Sequence, residues 1–310
     1  MAREHKMQNT EKKLRETAKK LLADHTVDCV IGFKDGSRPK SSRPFFARNP
    51  QDVEKLVWNM YCAANLATFL PKLFEKPQRP NKDYKTPRIG IVVKGCDGRS
   101  VLGLVKEKQV PRENIVIIGM PCTGMVPASK NEKSSSEEIA RACVECVSPT
   151  IKGIDIVIDG ESRKPARADY ARIKKFESKP AEERWKLFVE EISKCIRCNA
   201  CREACPNCYC KVCFADQKKP AWVSPANVLS ETVVFHLGRM FHQAGRCVEC
   251  DACVNACPMG IDLRLFTQKL ASDAKDLFGS VPGVTDDAVP ALNTFMQDDS
   301  ECFITDPEEK

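Results

Sequence analysis

Two cysteine runs of the same spacing stand in the second half of the chain. Cys195, Cys198, Cys201 and Cys205 precede Pro206, and the pattern C-x2-C-x2-C-x3-C-P returns in the segment CVECDACVNACP. Two residues between ligands let one tight turn direct three thiolates at a single iron-sulfur cube, while the fourth cysteine points away from that cube. The runs therefore predict two 4Fe-4S clusters, each of which takes its fourth ligand from the other run.

The predicted ligand sets combine three cysteines of one run with the last cysteine of the other. They are Cys195, Cys198, Cys201 and Cys257 for the first cube, and Cys247, Cys250, Cys253 and Cys205 for the second cube. Zinc is the alternative, because it binds four thiolates from paired C-x2-C units. Duplicated runs of three ligands and a Cys-Pro favour iron and sulfide, and a pair of such cubes carries single electrons.

Four more cysteines are predicted to hold a third 4Fe-4S cluster. Cys96 and Cys122 each follow a strand-like segment, and Cys143 and Cys146 form the pair CVEC. Since the carboxyl ends of parallel strands meet at one edge of a sheet, these cysteines can converge there. The alternative is that Cys96 and Cys122 are small buried residues, with CVEC a surface pair or half of a zinc site.

The segment CPNCYCKVC, directly after the first run, adds Cys208, Cys210 and Cys213. These cysteines could bind a further cluster together with a ligand from elsewhere, or they could be buried beside the cubes. We interpret the other cysteines as structural thiols, and two nearby histidines as core or surface residues. These residues are Cys29, Cys62, Cys302, His236 and His242.

The segment KGCDGRS joins a strand-like segment to the start of a helical pattern. Its glycines permit close backbone approach, its amides could meet a phosphate, and Lys94 and Arg99 add positive charge. It lacks both G-x-G-x-x-G and the P-loop pattern, so an ordinary turn explains it equally well. A flavin site at this turn is one of two interpretations.

Strand-like and helical patterns alternate in the first half of the chain. Apolar runs predict strands, and apolar residues at helical spacing predict helices. Such an alternation is typical of an α/β fold with a mainly parallel sheet. The predicted strands are 27–33, 89–93, 115–118 and 154–158, and the predicted helices are 11–24, 52–70, 100–108, 182–192 and 226–241.

The predicted organisation is an α/β N-terminal domain with a small mainly parallel sheet, followed by an α-rich ferredoxin-like twin 4Fe-4S domain. The charged segment 161–183, which contains prolines, is the best candidate boundary. We assign 1–180 to the α/β domain with the third cluster and the flavin site, 181–279 to the twin-cluster domain, and 280–310 to an extended acidic tail. Residues 128–138 are expected to form a solvated loop or a flap that faces a partner.

The chain has 310 residues, 18 cysteines and a formal net charge of +7. Each oxidised cube with its four thiolates carries about −2, so two or three cubes remove roughly 4 to 6 positive charges. The basic charge is then explained by buried clusters and acidic redox partners, rather than by nucleic acid. The longest apolar segments are strand-sized and no export signal can be read, so we predict a cytoplasmic protein without a membrane span, in which disulfides are disfavoured.

Five segments, in their order along the chain, resemble one family. KGCDGRS, NIVIIGMPCTG, CVEC, CIRCNACREACPNCYCKVC and FHQAGRCVECDACVNACPMGIDLRL are similar to the iron-sulfur beta subunits of the coenzyme F420 hydrogenase and formate dehydrogenase family, over about 27–279. The resemblance implies electron transfer between a catalytic subunit and a flavin or a heterodisulfide-reductase-type partner. It supports the third cluster, and it implies an FAD site because many members bind FAD. The flavin residues would be Asn65, Lys94, Gly95, Asp97, Arg99 and Ser100.

These observations predict the electron-transfer subunit of a soluble multi-subunit oxidoreductase, such as a formate dehydrogenase, a hydrogenase or a complex linked to heterodisulfide reductase. The sequence shows no Ser/His/Asp or carboxylate arrangement for acid-base catalysis, so no catalytic residue is predicted. One alternative is an FAD-containing subunit that itself exchanges hydride with F420 or NAD(P)H and passes electrons to the clusters. Another is a zinc-stapled scaffold without redox activity.

Overall fold

The fold is known from a computed structural model of the chain. Most of the predicted loop over 128–138 and most of the predicted tail over 280–310, including Cys302, lie outside the residues that it describes. The described residues are 2–77, 84–126, 138–150, 152–166 and 170–284.

The N-terminal part of the described chain forms one sheet. Its five strands are β1 Cys29–Asp35, β2 Ser42–Ala47, β3 Ile89–Val93, β4 Ile115–Gly119 and β5 Ile156–Val157. The strands lie in the order β2-β1-β3-β4-β5, and neighbours are parallel except for the antiparallel pair of β1 and β2. The predicted α/β character and mainly parallel sheet are therefore confirmed.

Strand β1 is shifted by two residues from the predicted 27–33, and two other strands differ more from the sequence prediction. Strand β2, which contains Pro44, is not predicted at all, but proline is tolerated in an edge strand, and β2 lies at the edge of the sheet. Strand β5 is shorter than the predicted 154–158. Just before it, a carboxylate oxygen of Asp155 accepts a hydrogen bond from the Ile117 N–H at 2.7 Å, so a side chain takes the place of a ladder carbonyl.

Helices pack on the sheet and are the main regular elements of the second half of the described chain. The helices predicted over 11–24, 100–108, 182–192 and 226–241 are confirmed with different ends, and the first two begin nine and five residues earlier than predicted. In chain order the helices are α1 Ala2–Ala23, α2 Pro50–Val53, α3 Leu70–Leu73, α4 Gly95–Lys106, α5 Arg141–Val144, α6 Ala171–Glu177, α7 Ala181–Ile192, α8 Ala200–Glu203, α9 Leu229–His242, α10 Ala252–Ala256 and α11 Leu263–Phe278.

The long helix predicted over 52–70 is wrong. Only the short helix α2 and a 3-10 turn form there, and the chain between them is irregular. The Val57 N–H donates to the Phe33 carbonyl at 2.9 Å, and the Asn65 side chain accepts from the Ala67 N–H at 3.1 Å. Such bonds compete with helical ones. The apolar residues at helical spacing fill the core instead, namely Val53, Leu56, Leu66 and Leu70.

Two hydrophobic cores stabilise the fold. The first lies around the sheet, where α1 packs on β1 and α4 packs on β3 and β4. The second is formed by residues of α7, α9, α11 and the cysteine runs, and includes Phe235, Cys201 and Cys257. Helix α6 lies inside the segment predicted as a boundary, and its Phe176 ring packs edge-on against Phe266. The division into domains itself stays a prediction.

Candidate metal centres

Both cysteine runs fold into the same turn. Arg197 and Asn199 in the first run, and Glu249 and Asp251 in the second, all have a positive φ between 56° and 60°. The Arg197 N–H donates to Cys195 Sγ at 3.3 Å, and the Glu249 N–H donates to the equivalent Cys247 Sγ at 3.4 Å. Positive φ is uncommon outside glycine and marks an imposed conformation. The repeated backbone therefore directs amides and sulfurs inward, as ligand turns require.

The cysteines predicted for the first cube line one small cavity. Helices α8 and α10, which carry cysteines of the two runs, contact each other and close this site. Because one of the four cysteines comes from the second run, the structure brings together the residues that the predicted exchange of ligands requires. The cysteines are Cys195, Cys198, Cys201 and Cys257.

The cysteines predicted for the second cube lie near one another and are each partly buried. Burial raises the pKa of Cys247 to about 12 and that of Cys250 to about 11, and the neighbouring Cys205 adds to both shifts. Burial likewise raises the pKa of Cys253, again with Cys205 nearby. The thiols are therefore protonated at neutral pH without a metal, and cluster binding would have to release these protons.

Buried hydrogen-bond donors without partners lie beside the two sets. Arg239 is 3% exposed and donates from Nη2 to the Cys201 carbonyl at 2.9 Å. Its Nε and Nη1 atoms, and both ring nitrogens of His236, are buried with no hydrogen-bond partner among the described residues. Burial lowers the pKa of His236 to about 4, so its neutral ring has one N–H donor and one acceptor nitrogen. An unmet buried donor costs about 1–3 kcal/mol, so the Arg239 N–H groups and the one His236 N–H indicate acceptors from outside the chain. Thiolate and sulfide ligands of two cubes would supply such acceptors.

The described residues also contain no site that could hold a single metal ion. No three cysteine, histidine or carboxylate side chains among them converge closely enough to hold one metal ion. Zinc needs its sulfur ligands about 2.3 Å from the metal, whereas a cube binds each thiolate at a different iron.

The four cysteines predicted for a third cluster meet at the carboxyl edge of the sheet. Cys96 lies in the first turn of α4 after β3, and Cys122 follows β4. The Cys143 Sγ accepts the Met125 N–H at 3.3 Å, which ties the CVEC helix α5 to this edge. Together with Cys146, they line one cavity. The convergence inferred from the parallel sheet is therefore present in the structure.

The third set lies next to the second. Cys250, a predicted ligand of the second cube, lines the same cavity as Cys96. Arg264 joins the two CVEC segments, because its guanidinium lies 2.7 Å from Glu145 of the first and 3.6 Å from Glu249 of the second. The third set therefore lies directly beside the second.

Replacing Cys122 with alanine is expected to remove about four irons per chain and leave about eight, because each cube holds four. Iron and acid-labile sulfide counts on the anaerobically purified protein would measure the loss. Cys62→Ala is the matched control, since Cys62 is also a buried thiol near the sheet but lines none of the three sites. Equal iron in the two variants would contradict a third cluster.

The six residues predicted for a flavin are buried and bonded internally. Lys94 Nζ donates to the Ala64 carbonyl at 2.7 Å and to Asp97 at 2.8 Å, and Asn65 donates to Ser100 at 3.0 Å. Arg99 donates to the carbonyls of Val248 and Pro282. A side chain at Gly95 would meet the Ser148 carbonyl at 2.1 Å, so the start of α4 is covered by protein. Lys94, Gly95 and Arg99 also line the cavity of the third set, and FAD binding stays a prediction.

Breaking the Lys94–Asp97 pair is expected to destabilise the fold. Their side chains are 3% and 0% exposed, so Asp97→Ala leaves a buried ammonium unpaired, at a cost of about 3–5 kcal/mol. Urea unfolding of the protein would measure the change. The double variant Lys94→Met, Asp97→Leu is expected to lose less, because no charge is left behind. If the double variant were as unstable as the single one, the charge argument would fail.

The cysteines after the first run border an open groove of about 720 Å³. Cys208, Cys210 and Cys213 line it together with Gln243 and Arg246. Burial of Cys29 and Cys62 fits their interpretation as structural thiols. The sequence reasoning missed Arg239, Gln243 and Arg264; the signal that could have found the first two is their position on and just after the helix between the runs.

Comparisons with known proteins show which sequences the chain resembles. No family model matches it. It is 23% identical to the F420-dependent formate dehydrogenase subunit beta of Methanocaldococcus jannaschii, over 89% of this chain and 92% of the relative. The chain is a relative of formate dehydrogenase beta subunits. Subunit beta of the F420-dependent formate dehydrogenase 1 of Methanococcus maripaludis is 22% identical over 88% of this chain and 91% of its own length.

The resemblance to formate dehydrogenase beta subunits predicted from the motifs is thereby confirmed. These relatives are subunits of an oxidoreductase, and the cysteine content of this chain fits iron-sulfur binding. In the part of the chain that the structure describes, no helix combines the length and the apolar character needed to cross a bilayer.

Proposed function

We propose that the chain is the electron-transfer subunit of a multi-subunit oxidoreductase, and that it carries single electrons through 4Fe-4S clusters. The catalytic partner would be a formate dehydrogenase, a hydrogenase or a heterodisulfide-reductase-like assembly. The observation that carries the proposal is the pairing of the two cysteine runs around shared sites, with unpartnered buried donors beside them. When bound, the clusters supply one-electron redox chemistry at fixed positions.

The chain's own residues hold the sites and balance their charge. Arg239, buried beside cysteines of both cubes, offers positive charge where each reduction adds an electron. Arg264, which is 3% exposed, holds the two CVEC segments together, so the distance between the third and second sites is fixed by a buried contact. Phe235 and His236 line the first site beside its cysteines. These residues hold the sites in place and set the charge around them.

A second candidate function is an FAD-containing subunit that itself exchanges hydride with F420 or NAD(P)H and delivers electrons to the clusters. The names of the relatives, which describe F420-dependent enzymes, favour it. Flavin content separates the two functions. Stoichiometric FAD, with bleaching of the cluster absorbance by F420 or NAD(P)H in the isolated chain, would support the second function over the first.

The test of the proposed function is anaerobic purification of the native complex, with its subunits identified and iron, sulfide and flavin counted. We expect about eight irons per chain for the twin cubes and about twelve with the third cluster. Reduction of the complex through its catalytic subunit should produce the EPR signals of reduced cubes in this chain. A colourless protein without acid-labile sulfide would refute the proposal.

A further inference from the structure

The first cysteine run has a cysteine that the second run lacks. Cys208 stands three positions after Cys205, whereas Gly260 stands three positions after Cys257. A turn closes in both places, since the Cys208 N–H donates to the Cys205 carbonyl at 3.1 Å and the Gly260 N–H donates to the Cys257 carbonyl at 3.3 Å. Gly260 has a positive φ of 66°, which Cys208 does not share, so the two runs differ at this position in backbone conformation as well as in chemistry.

The thiols of Cys205 and Cys208 lie side by side. A hydrogen bond joins them directly. The buried Gln243 also bridges them, because Cys205 Sγ donates to its Oε1 at 3.5 Å and its Nε2 donates to Cys208 Sγ at 3.5 Å. The side-chain amide of Gln243 thus holds the Cys205 and Cys208 sulfurs next to each other.

A hydrogen bond connects the turn from Cys205 to Cys208 with the residue that precedes the second run. The amide of Asn207, between the two cysteines, donates to the Arg246 carbonyl at 2.8 Å, and Arg246 immediately precedes Cys247. Arg239, with two buried N–H groups unpartnered among the described residues, lies close to Cys205, Cys208 and Cys253. The unmet donors indicate that anionic sulfur is placed at this point, beside both cysteines.

We propose that Cys208 is a reserve ligand of the second cube, able to bind the iron that Cys205 otherwise holds. The inference rests on the proposed function, because it presupposes the cube. In the exchange one iron–sulfur bond to Cys205 breaks and one to Cys208 forms. One proton passes from the Cys208 thiol to the released Cys205 sulfur, so no electron is gained or lost. Gly260 gives the first cube no such reserve.

The position of Cys208 suits this role. It lines the open groove of about 720 Å³, so its thiol can be reached from solvent when it is not bound to iron. The second cube should therefore survive the loss of Cys205, whereas the first cube should not survive the loss of Cys257. This difference between two otherwise equivalent positions is what an experiment can measure.

The experiment compares four variants of the full chain, prepared anaerobically: Cys205→Ala, Cys208→Ala, the double variant of both, and Cys257→Ala as the matched control from the second run. We expect the first two to keep the wild-type iron and sulfide counts. The double variant and Cys257→Ala should each lose about one to four irons. Cys208 should be alkylated by iodoacetamide in the wild-type protein and protected in Cys205→Ala, as mapped by mass spectrometry.

Two results would overturn the reserve ligand. One is an iron loss in Cys205→Ala as large as in the double variant; the other is a Cys205→Ala chain that fails to fold while Cys208→Ala folds with full iron. Protection of Cys208 in Cys205→Ala, with full iron, supports it. If the wild-type protein itself holds no iron or sulfide, the proposed function fails. If the wild-type protein holds its clusters and Cys205→Ala loses the second cube, the proposed function stands and the reserve ligand alone is refuted.

Discussion

Cys201→Ala is expected to remove about four irons per chain and to stop electron transfer through the twin cubes, because each cube needs four fixed thiolates. Cys201 is also part of the second hydrophobic core, so the loss reaches the packing around the site. Iron and sulfide counts, reduced-state EPR and the rate of electron transfer to an artificial acceptor would measure the effect.

The control for Cys201→Ala is Cys29→Ala. Cys29 lies in β1, is 7% exposed and contributes to the first core rather than to any of the three sites. Its replacement should cost about 1 kcal/mol and leave the iron count unchanged. If Cys29→Ala lost as much iron as Cys201→Ala, the change would report general instability rather than a lost ligand.

Arg239→Met is expected to lower the reduction potential of the twin cubes. The buried guanidinium lies beside cysteines of both sets, and a nearby positive charge favours the reduced, more negative state. Each 1.4 kcal/mol of lost attraction lowers a one-electron potential by about 60 mV, and we expect a shift of roughly 60–120 mV. The free energy of unfolding should also fall, by about 3–5 kcal/mol. EPR-monitored redox titration would measure the potential.

The variant Arg239→Lys distinguishes the effect of the positive charge from the effect of the guanidinium geometry in the same redox titration. A lysine keeps the positive charge but loses the planar fork that donates to the Cys201 carbonyl. It should therefore preserve most of the potential while still destabilising the fold. An unchanged potential in Arg239→Met would show that the guanidinium does not face reduced clusters.

Much of the sheet could be predicted from sequence, because β3 and β4 are buried apolar runs that only a strand of a covered sheet accommodates. The structure of the segment 52–70 could not be predicted, because its apolar residues have the spacing of an amphipathic helix although most of the segment is irregular. What decides its structure is long-range: the Val57 amide bonds to Phe33, and the Asn65 side chain bonds to the following turn. Such bonds are set by the packed sheet and leave no local signal.

The candidate sites divide in a similar way. The turns of both cysteine runs could be predicted, because the spacing of the ligands determines them locally. The meeting of Cys96 and Cys122 could also be predicted, because the carboxyl ends of parallel strands lie at one edge of the sheet. The flavin residues were chosen from the local motif KGCDGRS, whereas their burial depends on the distant residues Ser148 and Pro149 that cover the turn. The role of Arg239 depends on how α9 packs between the two cysteine runs. The spacing of residues along the sequence does not predict this packing.

The recurrence of one left-handed turn in both cysteine runs has a consequence for the direction of current. Since the backbone at Arg197 and Asn199 is repeated at Glu249 and Asp251, the two proposed cubes would be held by turns of the same shape. The side chains at these positions differ in charge, so any difference between the potentials of the two cubes would come from side chains and not from the turns. The direction of electron flow would then be decided by those side chains and by the potentials of the molecules bound at the two ends.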